Sequence, residues 1–202
     1  MPERTADQIL GERWQSHAQE AVADAGEDHP GRDEVVELFG DPAPFTEVVA
    51  PFGTRWPGLA AAPPRPWPDA EQLAARVLGE LSEIDGHAEE GYLLDAVYRG
   101  TDVRALVEAH GPGGCRPYDD AELCTVLRSW EERFGVRLLG LGEDRLTVSV
   151  AAPVGTTREA EAIAAEHFAF APDNITQGWD ETLRAYAANQ VLGKQVWSFW
   201  WD

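Results

Sequence analysis

His167, Glu166 and Asp173 are the residues of this chain best suited to acid–base chemistry. A histidine beside carboxylates can act as a general base, and a neutral imidazole can bind a metal. The first two sit near the end of one expected helix, and Asp173 lies in the Pro172-Asp173-Asn174 turn that follows. These three are the candidate catalytic residues. The competing reading is structural: His167 falls on the apolar helix face near Phe168, and Asp173 and Asn174 are residue types that ordinarily build turns. Asn174, Trp130, Arg133 and Trp179 are the candidate ligand-binding residues, the indoles as walls and Arg133 as a bidentate grip on a carboxylate. Glu131 and Arg133 stand too close in sequence to pair along a helix face, so solvated charges beside one core tryptophan explain Trp130-Glu131-Glu132-Arg133 as well.

The other chemistry-bearing residues are read structurally. His110, Cys115 and Cys124 have spacings of four and eight intervening residues, whereas zinc sites use paired ligands two to four apart. Cys124, next to a buried helical stripe, is expected to behave as a small apolar residue. Gly111-Pro112-Gly113-Gly114 lacks the Lys-Ser/Thr of a phosphate loop and follows a helix where such loops follow a strand, so it reads as a turn. No Gly-x-Ser-x-Gly, His-Glu-x-x-His or dinucleotide fingerprint occurs. No metal and no cofactor is expected.

Charge bears on partners. The net charge is −20, from 36 acidic and 16 basic residues, with Lys194 the only lysine. Direct nucleic-acid binding needs concentrated cations and is not expected. Residues 1–91 hold 19 acidic and 6 basic residues, so the first half is the more acidic. Such a charge either steers a basic partner, for example a cationic toxin or nucleic-acid-binding protein, or serves solubility alone. The apolar runs are too short to cross a bilayer, and Met1-Pro2-Glu3-Arg4-Thr5 does not resemble a secretory leader. A cytoplasmic protein without a membrane association is therefore expected, its two cysteines unpaired.

The elements that must position these residues follow from periodicity and caps. Thr5 and Gln8 form a possible capping box for a helix to about Asp24, with Ile9, Leu10, Trp14, His17 and Val22 near one face. A short helix is expected from Asp33 to Phe39, ending at Gly40. Eight of the fourteen prolines lie between Pro42 and Pro68, interrupted by Phe45, Phe52, Trp56 and Trp67. A flexible spacer would be polar, so this segment is expected to drape over the core. Asp69 caps a helix bearing Leu73, Val77, Leu78, Leu81 and Ile84, which Asp85-Gly86 stops. Tyr92–Tyr98 reads as a strand, and a short helix runs from Thr101 to His110. From Asp120, Leu123, Leu127, Trp130 and Phe134 share a face before a Gly135 C-cap. Residues 136–141, a Gly142-Glu143-Asp144 turn, and the alternation of Leu146, Val148 and Val150 give a hairpin. Thr156 and Glu159 fit a capping box for a helix burying Ile163, Ala164, His167 and Phe168. A last helix with Leu183, Tyr186, Ala187 and Val191 ends at Gly193.

The chain closes on Val196-Trp197-Ser198-Phe199-Trp200-Trp201-Asp202. Each large ring can remove about 150–250 Å² from water, so this end is expected to be a strand locked into the sheet. Trp197, Phe199 and Trp201 point to one side and Val196, Ser198 and Trp200 to the other. Burial on both faces implies a central strand; at an edge, the rings would form a binding patch for a partner. The expected architecture is α+β, a small mixed or antiparallel sheet with helices mainly on one side and the C-terminal strand buried in it. Three regions are expected: 1–44, an acidic helical extension; 45–91, a Pro- and aromatic-rich segment plus a helix packed on the core; and 92–202, an α+β domain.

Four stretches carry a resemblance: Val126-Leu127-Arg128-Ser129-Trp130-Glu131-Glu132-Arg133-Phe134-Gly135, Ala165-Glu166-His167-Phe168-Ala169-Phe170, Pro172-Asp173-Asn174-Ile175 and Trp197-Ser198-Phe199-Trp200-Trp201-Asp202. Together they resemble the largely actinobacterial domain-of-unknown-function family four-two-five-three over roughly 92–202. Pro51-Phe52-Gly53-Thr54-Arg55-Trp56-Pro57-Gly58-Leu59 is similar to an upstream segment in some members, and residues 1–44 match nothing. Ala171 departs from the family, whose members often carry cysteine there, which counts against a thiol or metal site. The resemblance implies a fold and no activity. The functional expectation is a non-catalytic acidic interaction protein, immunity- or neutraliser-like, binding a basic protein. The alternative is an enzyme or small-ligand-binding domain around His167, Glu166 and Asp173.

Overall fold

Four strands form one antiparallel sheet, in the computed structural model that describes residues 4–26, 43–83, 93–110 and 118–202. β1 (Leu93–Tyr98), β2 (Val136–Leu141), β3 (Arg145–Val150) and β4 (Val196–Trp200) lie in sequence order. Eight helices accompany them among the described residues: α1 (Ala6–Gly26), α2 (Phe45–Val48), α3 (Ala70–Ser82), α4 (Val103–His110), α5 (Asp120–Phe134), α6 (Thr157–Phe170), α7 (Asp173–Thr176) and α8 (Leu183–Tyr186). The architecture is α+β. The expected Asp33–Phe39 helix, the stops at Gly40 and Asp85-Gly86, Tyr92, and the Gly111–Gly114 turn with Cys115 lie outside the described residues, as do the side chains of Val22 and His110.

Local chemistry sets the helix ends. Thr5 and Gln8 exchange backbone-to-side-chain hydrogen bonds at the start of α1, and Thr156 and Glu159 do the same for α6. Asp69 and Asp119 cap α3 and α5 by accepting from the Gln72 and Glu122 amides. Gly135 ends α5 at φ 65°, a left-handed position where a Cβ would also stand 2.8 Å from that of Ala151.

The sheet buries both faces. On one, Leu138, Leu146, Val148, Val150, Trp197 and Phe199 meet α1, α5 and α6 in the main core, where Trp130 stacks on Phe199 at 5.3 Å between centroids. α3 covers the other face with Leu73, Ala74 and Val77 against Leu139 and Ala151. Two details depart from simple alternation. A bulge between Leu138 and Gly140 leaves Leu138 and Leu141, three residues apart, both on the main-core side while Leu139 faces α3, and Thr147 and Ser149, on the polar side of β3 by pattern, are buried.

Among the described residues β4 pairs with β3 alone. It is thus an edge strand, which corrects the central position inferred from its apolar faces. Trp197, Phe199 and Trp201 are buried, whereas Val196 and Trp200 are half-buried and Ser198 is exposed. The two faces of this strand are not equivalent.

The N-terminal helix joins the same core. Ile9, Leu10 and Trp14 are buried, and Trp14 makes edge contacts with Phe45, Phe52 and Phe168. Trp56 donates to Asp7 at 2.9 Å. The Pro- and aromatic-rich segment therefore packs against α1 and the core together as an ordered strap.

Candidate functional site

Adjacent residues on a helix point about 100° apart and do not face each other, and α6 sends Glu166 and His167 into different surroundings. Glu166 is fully buried and accepts four hydrogen bonds: Arg133 from Nη1 and Nη2 at 2.6 and 2.7 Å, the Trp130 indole at 2.9 Å and the Ala60 amide at 2.7 Å. Arg133 Nη1 also donates to the Ala60 carbonyl at 2.9 Å, and Ser129 holds its other nitrogens. A bidentate pair with each carboxylate oxygen doubly satisfied is a structural joint. It ties the strap at Ala60 to α5 and α6.

His167 is also fully buried, ringed by Trp130, Trp197, Phe199 and Tyr186. Its Nδ1 lies 3.2 Å from the Tyr186 hydroxyl, while Nε2 has no hydrogen-bond partner. Burial, followed by the positive charge of Arg133, lowers its pKa to about 3. The imidazole is neutral at ordinary pH. Burial pushes the Tyr186 phenol well above its usual range.

Asp173 stands apart from both. It accepts from the Asp202 amide at 3.1 Å and the Gln177 side chain at 3.3 Å, and it lines a cavity of about 160 Å³ with Arg13, His17, Phe170, Pro172, Trp201 and Asp202. Glu166 and His167 are fully buried and neither lines the cavity at Asp173. Of the ligand-binding candidates, Trp130 and Arg133 belong to the buried Glu166 joint, whereas Asn174 and Trp179 line one groove.

That groove, about 350 Å³, lies where the outer edge of β4 meets the α7–α8 connection. Val196, Ser198 and Trp200 form one wall and Gly178, Trp179, Asp180, Tyr186 and Gln190 the other, with Asn174 between. Asn174 Nδ2 donates to the Ser198 carbonyl at 2.7 Å, and its Oδ1 accepts from the Trp200 amide at 2.9 Å. One side-chain amide thus takes the hydrogen bonds of a missing strand. Nδ2 also lies 3.3 Å from the Tyr186 hydroxyl, linking His167, Tyr186, Asn174 and β4 into a single polar chain.

Irregular backbone gathers at this groove. The helix expected to run on to Gly193 is α-helical only to Tyr186 and then winds as a π-turn over Ala187–Val191, a form frequent at functional sites. Glu181 has φ 57°, in the left-handed region. A Cβ on Gly178 would meet the Asn174 carbonyl at 2.2 Å, so only glycine fits there. Asp180 accepts from Asn189 and Gln190 at 2.6 and 3.0 Å. On this fixed loop Trp179 is fully exposed, the one exposed large apolar side chain among the described residues.

Sequence reasoning passed over Asp180, Tyr186 and Gln190 as groove residues. Tyr186 had the spacing of a core residue, which it also is, and nothing in the pattern marks a π-turn. The available signal was Trp179 itself, a tryptophan set in a Gln177-Gly178-Trp179-Asp180 run of turn-forming and polar residues.

Among the described residues, no group of three or more His, Cys, Asp and Glu side chains is arranged to hold a metal ion, and no helix is long and apolar enough to cross a membrane. The half-buried Cys124 thiol is pushed up by burial.

A family model described as "Domain of unknown function (DUF4253)" matches residues 93–202. No curated protein and no solved structure matches the chain.

Proposed function

The chain belongs to the DUF4253 family, a description that carries no activity, and from its own charge we propose that it is a non-catalytic interaction protein that binds a basic partner. An immunity- or neutraliser-type role, in which an acidic surface occupies a cationic protein, is the form that fits. The observation that carries this reading is the net charge of −20 with 16 basic residues against 36 acidic ones. A field of that size accelerates and orients the approach of a cationic surface.

The alternative, an acid–base or ligand site centred on Glu166, His167 and Asp173, has less support. Glu166 is fully engaged by Arg133, Trp130 and Ala60, and His167 is sealed behind Tyr186 with a pKa near 3.

The test is capture of partners from native extract at low salt, followed by titration of the purified partner. The reading expects a basic protein whose affinity falls more than about tenfold as salt rises from about 0.05 to 0.5 M, because screening shortens the reach of the field. A neutral or acidic partner, or an affinity indifferent to salt, would overturn it.

A further inference from the structure

We infer that the groove beside β4 is a receptor for a single cationic side chain, a guanidinium or alkylammonium group presented by a basic polypeptide. This rests on the basic-partner reading and adds to it a place and a mode of recognition.

Three observations converge. The first is electrostatic: of the residues lining the groove, Asp180 alone carries a charge. Its two oxygens are held by neutral amides, those of Asn189 and Gln190, so the carboxylate is oriented without being neutralised. An oriented carboxylate binds a cation at less entropic cost than a free one. The second is aromatic. Trp179, fully exposed, and Trp200, half-buried, both line the groove, and a cation is drawn to an indole face, tryptophan being the strongest of the aromatic partners. Tyr186 adds a third ring at the lining, its hydroxyl turned inward to His167 and Asn174.

The third observation decides between occupants. An edge strand ordinarily invites another strand, but here Asn174 already holds the Ser198 carbonyl and the Trp200 amide. Backbone pairing along that stretch is blocked, and what stays open is a cavity near the lower end of the ~300–1,000 Å³ range of small-ligand sites. The geometry fits a side chain inserted between the walls, not an added strand. The left-handed φ of Glu181 and the obligatory Gly178 fix the backbone path on either side of Trp179.

The experiment uses the full chain and three peptides of equal length, hexa-arginine, hexa-citrulline and hexa-glutamate, titrated by calorimetry and by tryptophan fluorescence at low salt. Hexa-arginine is expected to bind and to perturb the fluorescence, with neither of the other two binding. Trp179→Ala and Asp180→Asn are each expected to weaken hexa-arginine about tenfold. Trp179→Ala, with its indole wholly exposed in the parent, should leave the melting temperature unchanged and so reports binding alone. If hexa-arginine binds wild type and both variants equally, the groove is not the receptor, while the basic-partner reading stands. If hexa-citrulline binds as well as hexa-arginine, the site does not recognise charge and the inference falls. If hexa-arginine fails to bind wild type at all, the groove inference and the basic-partner reading fall together.

Discussion

Glu166 and His167 are neighbours in sequence and equally buried, yet the polar networks they enter are opposites. Around Glu166 each donor and acceptor is matched, and the network joins the strap, α5 and α6 through four hydrogen bonds to one carboxylate. Around His167 the chain of contacts runs through Tyr186 and Asn174 to the edge of β4, leaves Nε2 unmatched, and ends at a groove lined by an exposed tryptophan and part of a π-turn, next to Glu181 at positive φ. A network optimised for stability has no reason to keep orphaned atoms and strained backbone; one that shapes a binding surface does. The contrast sets a region that holds the fold against the one in which the proposed partner site lies.

The strongest way to break this division is at Glu166. Glu166→Ala leaves the Arg133 guanidinium facing the Ala60 carbonyl and Ser129 with its main counter-charge gone. Loss of one member of a buried pair costs ~3–5 kcal/mol, a large share of the ~5–15 kcal/mol typical of a domain. Denaturant titration should show this loss. A variant within about 1 kcal/mol of the parent would refute the structural role of the joint.

Asn174 sharpens the comparison from the other side. Asn174→Ala removes the acceptor of the Trp200 amide and the donor to the Ser198 carbonyl, leaving part-buried backbone groups unmet at ~1–3 kcal/mol. Amide exchange at Trp200 should accelerate, while exchange in β2 and β3, each bordered by two strands, should hardly change. Unaltered protection at Trp200 would mean that Asn174 does not close the sheet edge.

These two residues also show how far the sequence could be read. The α+β layout, the capping boxes at Thr5 and Thr156, the Gly135 stop and the 136–150 hairpin all rest on signals within a few residues of one another, and such signals survive folding. The partner of Glu166 does not: Arg133 and Ala60 are brought to it by the packing of three segments, and no spacing announces that. The same holds for β4. Its alternating rings read as a strand buried on both faces, but strand order is a property of the whole sheet, and an edge strand can bury one face in the core while its other face lines a groove. Asn174 was legible as a turn residue and as a candidate ligand; its use as a surrogate strand was not. Thr147 and Ser149 alternate with Leu146, Val148 and Val150 and so fall on the polar side by pattern, yet they are buried; α3, which packs on that face, lies more than sixty residues upstream.

The smallest expected effect concerns His167 and pH. Burial, then the charge of Arg133, lowers its pKa from the ordinary 6.5 to about 3. Between those two values the unfolded chain takes up a proton that the folded chain refuses, so the folded state loses ground as pH falls below about 6.5, and this contribution stops growing below about 3. At pH 5.5 the loss from this one group is about 1 kcal/mol, since one unit of pH below the unfolded pKa is worth ~1.4 kcal/mol at full effect. His17, whose pKa burial also lowers, contributes in the same direction. Comparing wild type with His167→Gln at pH 7 and pH 5.5 cancels that background, because His17 is present in both. The parent should lose about 1 kcal/mol more than the variant between the two pH values. Equal losses would show that the imidazole accepts a proton in the folded state, which requires water or a cation-tolerant partner at Nε2 and would move His167 out of the sealed interior and into the chemistry of the groove.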